Sequence, residues 1–164
     1  MKRNVSNLMM LLSLTMVMAF VMPVMSHAQK ANFAGTWTMN ESKSKLPEGG
    51  GGRMMGGTTF TVTQEANLLT RTSTGQDGTQ RVSKYTLDGK ESVNTSPRGD
   101  SKSVAAWSPD GKSLTIKTTS EYNGNTFTMT AVWSMSDAKT LTTATSFTGQ
   151  DGTERKMTMV YDKK

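Results

Sequence analysis

Short runs of alternating apolar and polar residues fill positions 35–162, and turn residues interrupt them at regular spacing. Alternation places successive side chains on opposite faces of a strand, and no stretch repeats with the period of a helix. The sequence therefore predicts an all-β fold, an antiparallel up-and-down meander closing into a barrel or flattened clam of about eight to ten strands. The predicted strands lie near residues 35–40, 58–65, 68–74, 79–87, 91–95, 102–108, 114–122, 126–135, 140–147 and 153–162.

Dipeptides that favour tight turns separate most of these strands. They are Asp77-Gly78, Asp88-Gly89, Asp110-Gly111, Asn123-Gly124, Asp137-Ala138 and Asp151-Gly152. The octapeptide at 74–81 recurs nearly unchanged at 148–155, which indicates that the same type of hairpin occurs twice. We interpret the Asp-Gly turns as hairpins and not as calcium loops, because the spaced acidic ligands of such loops are absent.

A glycine-rich segment at 46–57 is the one connection that is not tight. Its composition predicts a flexible loop. One interpretation is a lid or contact loop with a soft apolar tip at Met54-Met55, since methionine adapts to varied partners. The interpretation we favour is a plain linker, because flexible glycine runs need no ligand to explain them.

The large apolar residues share one parity of the strand positions, and the other parity is mostly Thr, Ser, Lys, Arg and Gln. One apolar face is typical of a soluble barrel and opposite to the pattern of an outer-membrane barrel. Small or hydroxylated inward residues such as Thr118, Thr143 and Thr145 leave room for a pocket. We expect these residues to bind a ligand: Trp37, Trp107, Phe127, Trp133, Met157, Met159 and Tyr161. The alternative is that this aromatic and methionine stripe is plain core.

The start of the chain has the three parts of a secretory signal peptide. Lys2 and Arg3 precede an apolar run at 8–24, and small residues precede Gln29. We expect cleavage after Ala28, which leaves residues 29–164 as a single domain in the periplasm or outside the cell. A retained membrane anchor is the alternative that this pattern disfavours. We also expect a monomer, because a closed barrel removes exposed strand edges.

The composition limits the kinds of partner and of catalysis that we expect for this chain. The chain has 19 Lys and Arg against 13 Asp and Glu, and removal of Lys2 and Arg3 leaves a net charge of +4. The basic residues are scattered, so we expect no nucleic-acid partner. There is no cysteine, and the one histidine, His27, ends the predicted signal peptide. We therefore expect no metal site, no cofactor and no catalysis, since the remaining carboxylates show no spacing that indicates an acid–base pair.

The opening Phe33-Ala34-Gly35-Thr36-Trp37 resembles the Gly-x-Trp start of lipocalins and the Gly-Thr-Trp of fatty-acid-binding proteins. With the segments 40–45, 85–91 and 160–164, it makes residues 29–164 resemble, end to end, a group of small exported bacterial lipocalin-like (calycin-like) β-barrel proteins of unassigned function. The resemblance implies an up-and-down β-barrel. It also implies that Trp37 packs at the closed end against a basic residue of the last strand, Arg155 or Lys156.

The carboxylate clamp of fatty-acid-binding proteins is matched only in part. Tyr161 corresponds to its tyrosine, but Met159 stands where its arginine would be. Arg71 is the nearest substitute by parity if Leu69 points inward, although an exposed strand charge is the interpretation that we favour for it.

The leading hypothesis is an exported, non-catalytic protein that holds a small apolar or amphipathic ligand inside a β-barrel. The alternative is a structural or protein-interaction module of the cell envelope with a solid core. Such a module would contact its partner through the hydroxyl-rich outer face or through Met54-Met55.

Overall fold

The computed structural model describes residues 29–46, 58–75, 78–97, 99–122, 124–149 and 152–164. They form ten antiparallel strands, which confirms the predicted all-β meander. The predicted signal peptide at 1–28 and the predicted loop at 46–57, apart from Leu46, lie outside the described residues. The strands are β1 (Gly35–Met39), β2 (Thr59–Gln64), β3 (Leu68–Thr74), β4 (Gln80–Thr86), β5 (Glu91–Ser96), β6 (Gly99–Trp107), β7 (Ser113–Tyr122), β8 (Asn125–Asp137), β9 (Thr140–Thr148) and β10 (Glu154–Lys163).

The strands curl into a nearly closed barrel because the first strand pairs with the last. Trp37 of β1 lies opposite Phe60 of β2 on one side and opposite Lys163 of β10 on the other. The order of the sheet is β4-β3-β2-β1-β10-β9-β8-β7-β6-β5. Strands β4 and β5 therefore stand at its two ends, and side-chain hydrogen bonds join them in place of a backbone ladder.

Burial follows the predicted parity along the strands. Leu69 and Arg71 alternate with the outward Thr70 and Thr72, and Leu69 is fully buried. Burial of each large apolar side chain removes it from water and stabilises the fold by about 1.5–3 kcal/mol. The buried core consists of Phe33, Trp37, Phe60, Val62, Leu69, Leu87, Ala105, Leu114, Ile116, Ala131, Trp133, Leu141, Met157, Met159 and Tyr161.

The segment that precedes β1 closes one end of the barrel, which we call the closed end. The Gln64 side chain accepts a hydrogen bond from Phe33 N and donates one to Ala31 O, both at 2.9 Å. The Phe33 carbonyl accepts from the indole N–H of Trp37 at 2.9 Å. The Phe33 ring is buried against Trp107, stacked at 5.7 Å, and against the edge of Trp133 at 5.8 Å. An aromatic plug therefore fills this end.

The basic residue against Trp37 is Lys163, so the expectation of Arg155 or Lys156 was wrong. The Lys163 ammonium lies 5.3 Å from the centroid of the Trp37 ring. The antiparallel register explains the difference, because it pairs Trp37 with Lys163 at the end of β10. Arg155 and Lys156 lie near the start of that strand, where they pair with residues 147 and 146 of β9.

Candidate functional site

A cavity of about 80 Å³ lies inside the barrel, between the aromatic plug and the opposite end. Seven strands contribute to its wall: β2, β3, β4, β7, β8, β9 and β10. The lining residues are Phe60, Arg71, Tyr85, Ile116, Thr118, Met129, Ala131, Trp133, Thr143, Thr145, Met159 and Tyr161. The wall is thus apolar and aromatic with a few hydroxyl groups and one guanidinium, the composition typical of small-molecule sites.

Three of the seven residues predicted to bind a ligand line this cavity, namely Trp133, Met159 and Tyr161. They come together because Trp133 and Met159 both lie opposite Thr143 of β9, and Tyr161 follows two positions later on the same face of β10.

The other four predicted residues lie elsewhere. Trp37 is fully buried in the core and Trp107 stacks on Phe33, so both belong to the closed end. Met157 is buried in the core opposite Thr145, and Phe127 is half-buried opposite Ser120 of β7. A role in ligand binding stays a prediction for all seven residues.

Arg71 points into the barrel, which corrects the interpretation of this residue as an exposed strand charge. Its guanidinium carbon lies 4.3 Å from the centroid of the Phe60 ring, and Nη1 donates to Ser73 Oγ at 3.4 Å. Burial lowers the pKa of Arg71, and the neighbouring Tyr85 and Tyr161 partly offset that effect. A guanidinium remains protonated under such shifts, so the cavity carries a positive charge.

Two phenols and the hydroxyls of Thr118, Thr143 and Thr145 complete the polar part of the wall. Burial raises the pKa of Tyr161, whereas the charge of Arg71 acts in the opposite direction. The Tyr161 hydroxyl donates to Met159 Sδ at 3.2 Å. Thr143 is beside this phenol, but its Oγ1 makes no hydrogen bond of usual geometry with any described residue. A buried hydroxyl of this kind is available to a guest molecule.

The wall residues that the predicted site did not include are mostly inward by parity. Phe60, Ile116, Met129 and Ala131 all share the apolar parity, so alternation alone identified them as interior. Alternation does not predict the position of a residue along the barrel axis. The ladders supply it, since Ile116 pairs with Ala131 and Ala131 pairs with Thr145 in one continuous row.

The chemistry of the wall suits binding. Arg71 is the charged residue among the lining residues, and the described part of the chain contains no cluster of three metal-ligating side chains. Carboxylates of the strands, such as Glu91, Glu121 and Glu154, are exposed on outward positions. The interior can therefore attract an anion and donate hydrogen bonds to it.

No protein-family model matches the sequence. No curated protein matches it either. In the described residues, no helix is long and apolar enough to span a bilayer.

Solved structures resemble the fold. A secretory abundant heat soluble protein from Ramazzottius varieornatus is 10% identical, with 84% of this chain and 98% of that chain covered and a TM-score of 0.60. The zebrafish ileal bile acid-binding protein complexed with cholic acid is 16% identical, with 80% and 98% covered and a TM-score of 0.57. The wild-type fluorescent protein UnaG is 18% identical, with 80% and 97% covered and a TM-score of 0.53. These likenesses show that the chain has a calycin-like β-barrel fold.

Proposed function

We propose that this protein is an exported, non-catalytic binding protein that holds a small amphipathic anion inside its barrel. The observation that carries the proposal is the interior cavity, whose apolar wall surrounds the guanidinium of Arg71 and the phenols of Tyr85 and Tyr161. Export rests on the signal-like start of the sequence, and we place the protein in the periplasm or outside the cell.

The class of ligand follows from the charge and the wall. A guanidinium in an apolar enclosure forms its strongest hydrogen bonds with a carboxylate or another planar anion. Apolar side chains such as Ile116, Met129 and Trp133 would contact the rest of the guest. The zebrafish protein was solved with cholic acid, which is an amphipathic acid, and this supports the same class of ligand here.

The volume limits the size of the guest. A cavity of about 80 Å³ is roughly half of an engineered 150 Å³ cavity that binds benzene. The barrel as it stands accepts a small group, and the rest of a longer guest would extend through the side of the cavity that is open to solvent.

The small volume also favours a second candidate function, an envelope module with a solid core. In such a module the interior residues only stabilise the fold, and a partner binds outside. The two functions differ in whether any small molecule reaches Trp133.

Tryptophan fluorescence separates these functions, with octanoate as the probe. Trp133 lines the cavity, whereas Trp107 stacks on Phe33 at the closed end. We expect octanoate to change the emission of the wild type and of Trp107→Phe, and to leave Trp133→Phe unchanged. Native mass spectrometry of the purified protein should show the corresponding 1:1 complex.

Two results would contradict the binding function. One is a spectrum that ignores octanoate in every variant, together with a native mass that shows no bound molecule. The other is a full response in Trp133→Phe that disappears in Trp107→Phe, which would place the guest away from the cavity.

A further inference from the structure

Thr143 of β9 combines burial, a place in the cavity wall and an unused hydrogen-bonding group. Its side chain is only 5% exposed and lines the cavity. Its Oγ1 makes no hydrogen bond of usual geometry with any residue that the structure describes. A buried hydroxyl without a partner destabilises a folded protein, and native structures contain few such groups. A guest that supplies the missing partner would explain why a hydroxyl stands at this position.

The phenol of Tyr161 is next to Thr143 and is also bonded only weakly. Met159 lies opposite Thr143 on the β9–β10 ladder, and Tyr161 follows two positions later on the same face of β10. The Tyr161 hydroxyl donates to Met159 Sδ at 3.2 Å, and a thioether sulfur is a weak acceptor. We call Thr143 and Tyr161 the hydroxyl pair. It has hydrogen-bonding capacity that the folded chain uses only in part.

The positive charge of the cavity lies beside the hydroxyl pair. Arg71 lines the same cavity and is close enough to lower the pKa of Tyr161 against the effect of burial. A carboxylate bound to the guanidinium would therefore place the next atoms of the guest near the pair. A hydroxyl group on those atoms can both donate to the pair and accept from it. A plain acid would instead place a methylene group against it and leave Thr143 without a partner.

We propose that the guest is a hydroxy acid and that Thr143 selects it, by bonding to the hydroxyl of the guest while Arg71 binds the carboxylate. This inference rests on the proposed function and narrows its class of ligand. The hydroxyl belongs close to the carboxylate, because a cavity of about 80 Å³ encloses only a short part of the guest. The alkyl chain would leave through the side of the cavity that is open to solvent.

The same contacts predict that the site distinguishes mirror images. Arg71 fixes the carboxylate, Thr143 fixes the hydroxyl, and apolar wall residues such as Ile116 and Met129 contact the alkyl chain. These three groups surround the carbon that carries the hydroxyl in 3-hydroxyoctanoate, so only one enantiomer can make all three contacts. We expect that enantiomer to bind at least fivefold more tightly than the other.

Fluorescence titration compares octanoate with the two enantiomers of 3-hydroxyoctanoate. In the wild type we expect the better enantiomer to bind at least tenfold more tightly than octanoate, because a site with a hydroxyl to pair discriminates against a ligand that lacks one. In Thr143→Val, which keeps the shape of the side chain, the ratio of the two dissociation constants should fall below twofold. The urea midpoint should not fall, since an unpaired buried hydroxyl is removed.

The matched control is Thr142→Val, the neighbouring residue of β9, which lies between the buried Leu141 and Thr143 and has the outward parity. This variant should keep the wild-type preference for the hydroxy acid and for one enantiomer.

The outcomes separate the hydroxy acid from the binding function. Equal dissociation constants for octanoate and both enantiomers in the wild type would overturn this inference alone. A preference that persists in Thr143→Val, or that disappears equally in Thr142→Val, would overturn the role of Thr143. Absence of any response of the wild type to all three acids would overturn the proposed function, and this inference with it.

Discussion

Arg71 combines a charge with an interior position. Its side chain packs over Phe60, and burial lowers the pKa of the guanidinium. Folding therefore removes part of the water that hydrates this charge. Replacement of buried charged groups by apolar residues of similar volume is often neutral or stabilising. We therefore expect Arg71 to serve the proposed binding of an anion and not the stability of the fold.

We expect Arg71→Met to weaken octanoate binding at least tenfold, since a hydrogen bond to a charged group contributes about 1.5–3 kcal/mol. Binding of octan-1-ol should stay equal or improve, and the urea midpoint should not fall. Arg81→Met is the control, because Arg81 is exposed near the start of β4. Fluorescence titration with the acid and the alcohol provides the measurement. Equal losses for both probes, or an equal loss in Arg81→Met, would contradict an anion-binding role for Arg71.

Gly35 occupies a backbone conformation that favours glycine, with φ at +143°. A Cβ at this position would also meet the Lys163 side chain that covers Trp37. We expect Gly35→Ala to lower the free energy of unfolding by about 1–3 kcal/mol, the usual magnitude of such backbone strain. Urea denaturation measures the change.

A comparison with Gly35→Ala in a Lys163→Ala background separates the two causes. The contact with Lys163 disappears there, but the backbone strain remains, so most of the loss should persist. A full recovery of stability would show that the side-chain contact, and not the backbone, requires glycine.

The strands themselves were predictable because two local signals agree along most of the chain. Alternation marks each strand, and the Asp-Gly and Asn-Gly turns end it, with Gly78, Gly89, Gly111, Gly124 and Gly152 all at positive φ. The largest boundary difference is the start of β6, which begins at Gly99 and not near residue 102. Polar residues continue the strand there, so alternation gives no apolar mark.

The absence of a backbone ladder between β4 and β5 could not be predicted from the sequence. β4 and β5 are joined by a short turn of the kind that usually makes a hairpin ladder, although their valines, Val82 and Val93, are exposed. The inward residues Ser92 and Asn94 of β5 are small or polar, and they bond to the backbone of β4. Such a substitution of side chain for backbone leaves no periodic signal.

Three turns between strands contain the same hydrogen bond to an aspartate side chain. The carboxylates of Asp88, Asp110 and Asp137 each accept the backbone N–H two residues later, at 3.1, 3.1 and 2.7 Å. The pKa of Asp88 is lowered to about 2, chiefly by the hydrogen bond from the Lys90 side chain. The pKa of Asp110 is lowered first by Ser108, and that of Asp137 first by the Lys139 amide.

These shifts predict a loss of stability in acid. Because the folded-state pKa lies below the unfolded value of about 3.9, the unfolded chain binds more protons than the folded chain. The stabilisation from these aspartates is therefore present above about pH 4 and is lost toward about pH 2. We expect the urea midpoint of the wild type to fall across this window. The urea midpoint of the triple variant Asp88→Asn/Asp110→Asn/Asp137→Asn should fall less over the same pH range. Parallel pH profiles would argue against these three turns as the source.

The barrel as a unit was predictable, and its site was predictable only in part. Parity identified the interior, because one face of nearly every strand is apolar. The position of each residue along the barrel axis depends on the register of the ladders, and this explains why Trp133 and Met159 line the cavity while Trp37 fills the closed end. Arg71 has the inward parity of Leu69, but a charge within an alternating run resembles an outward position, so the interpretation that we favoured for it was wrong.

Methyl NMR of methionine-labelled protein tests most directly whether a small amphipathic anion binds inside the barrel. Met129 and Met159 line the cavity, whereas Met39 and Met135 pack outside it and serve as internal controls. On titration with octanoate, we expect the methyl signals of Met129 and Met159 to shift in a saturable manner and those of the controls to stay in place. A titration in which Met129 and Met159 do not move, or in which the control methyls move instead, would contradict binding in the cavity.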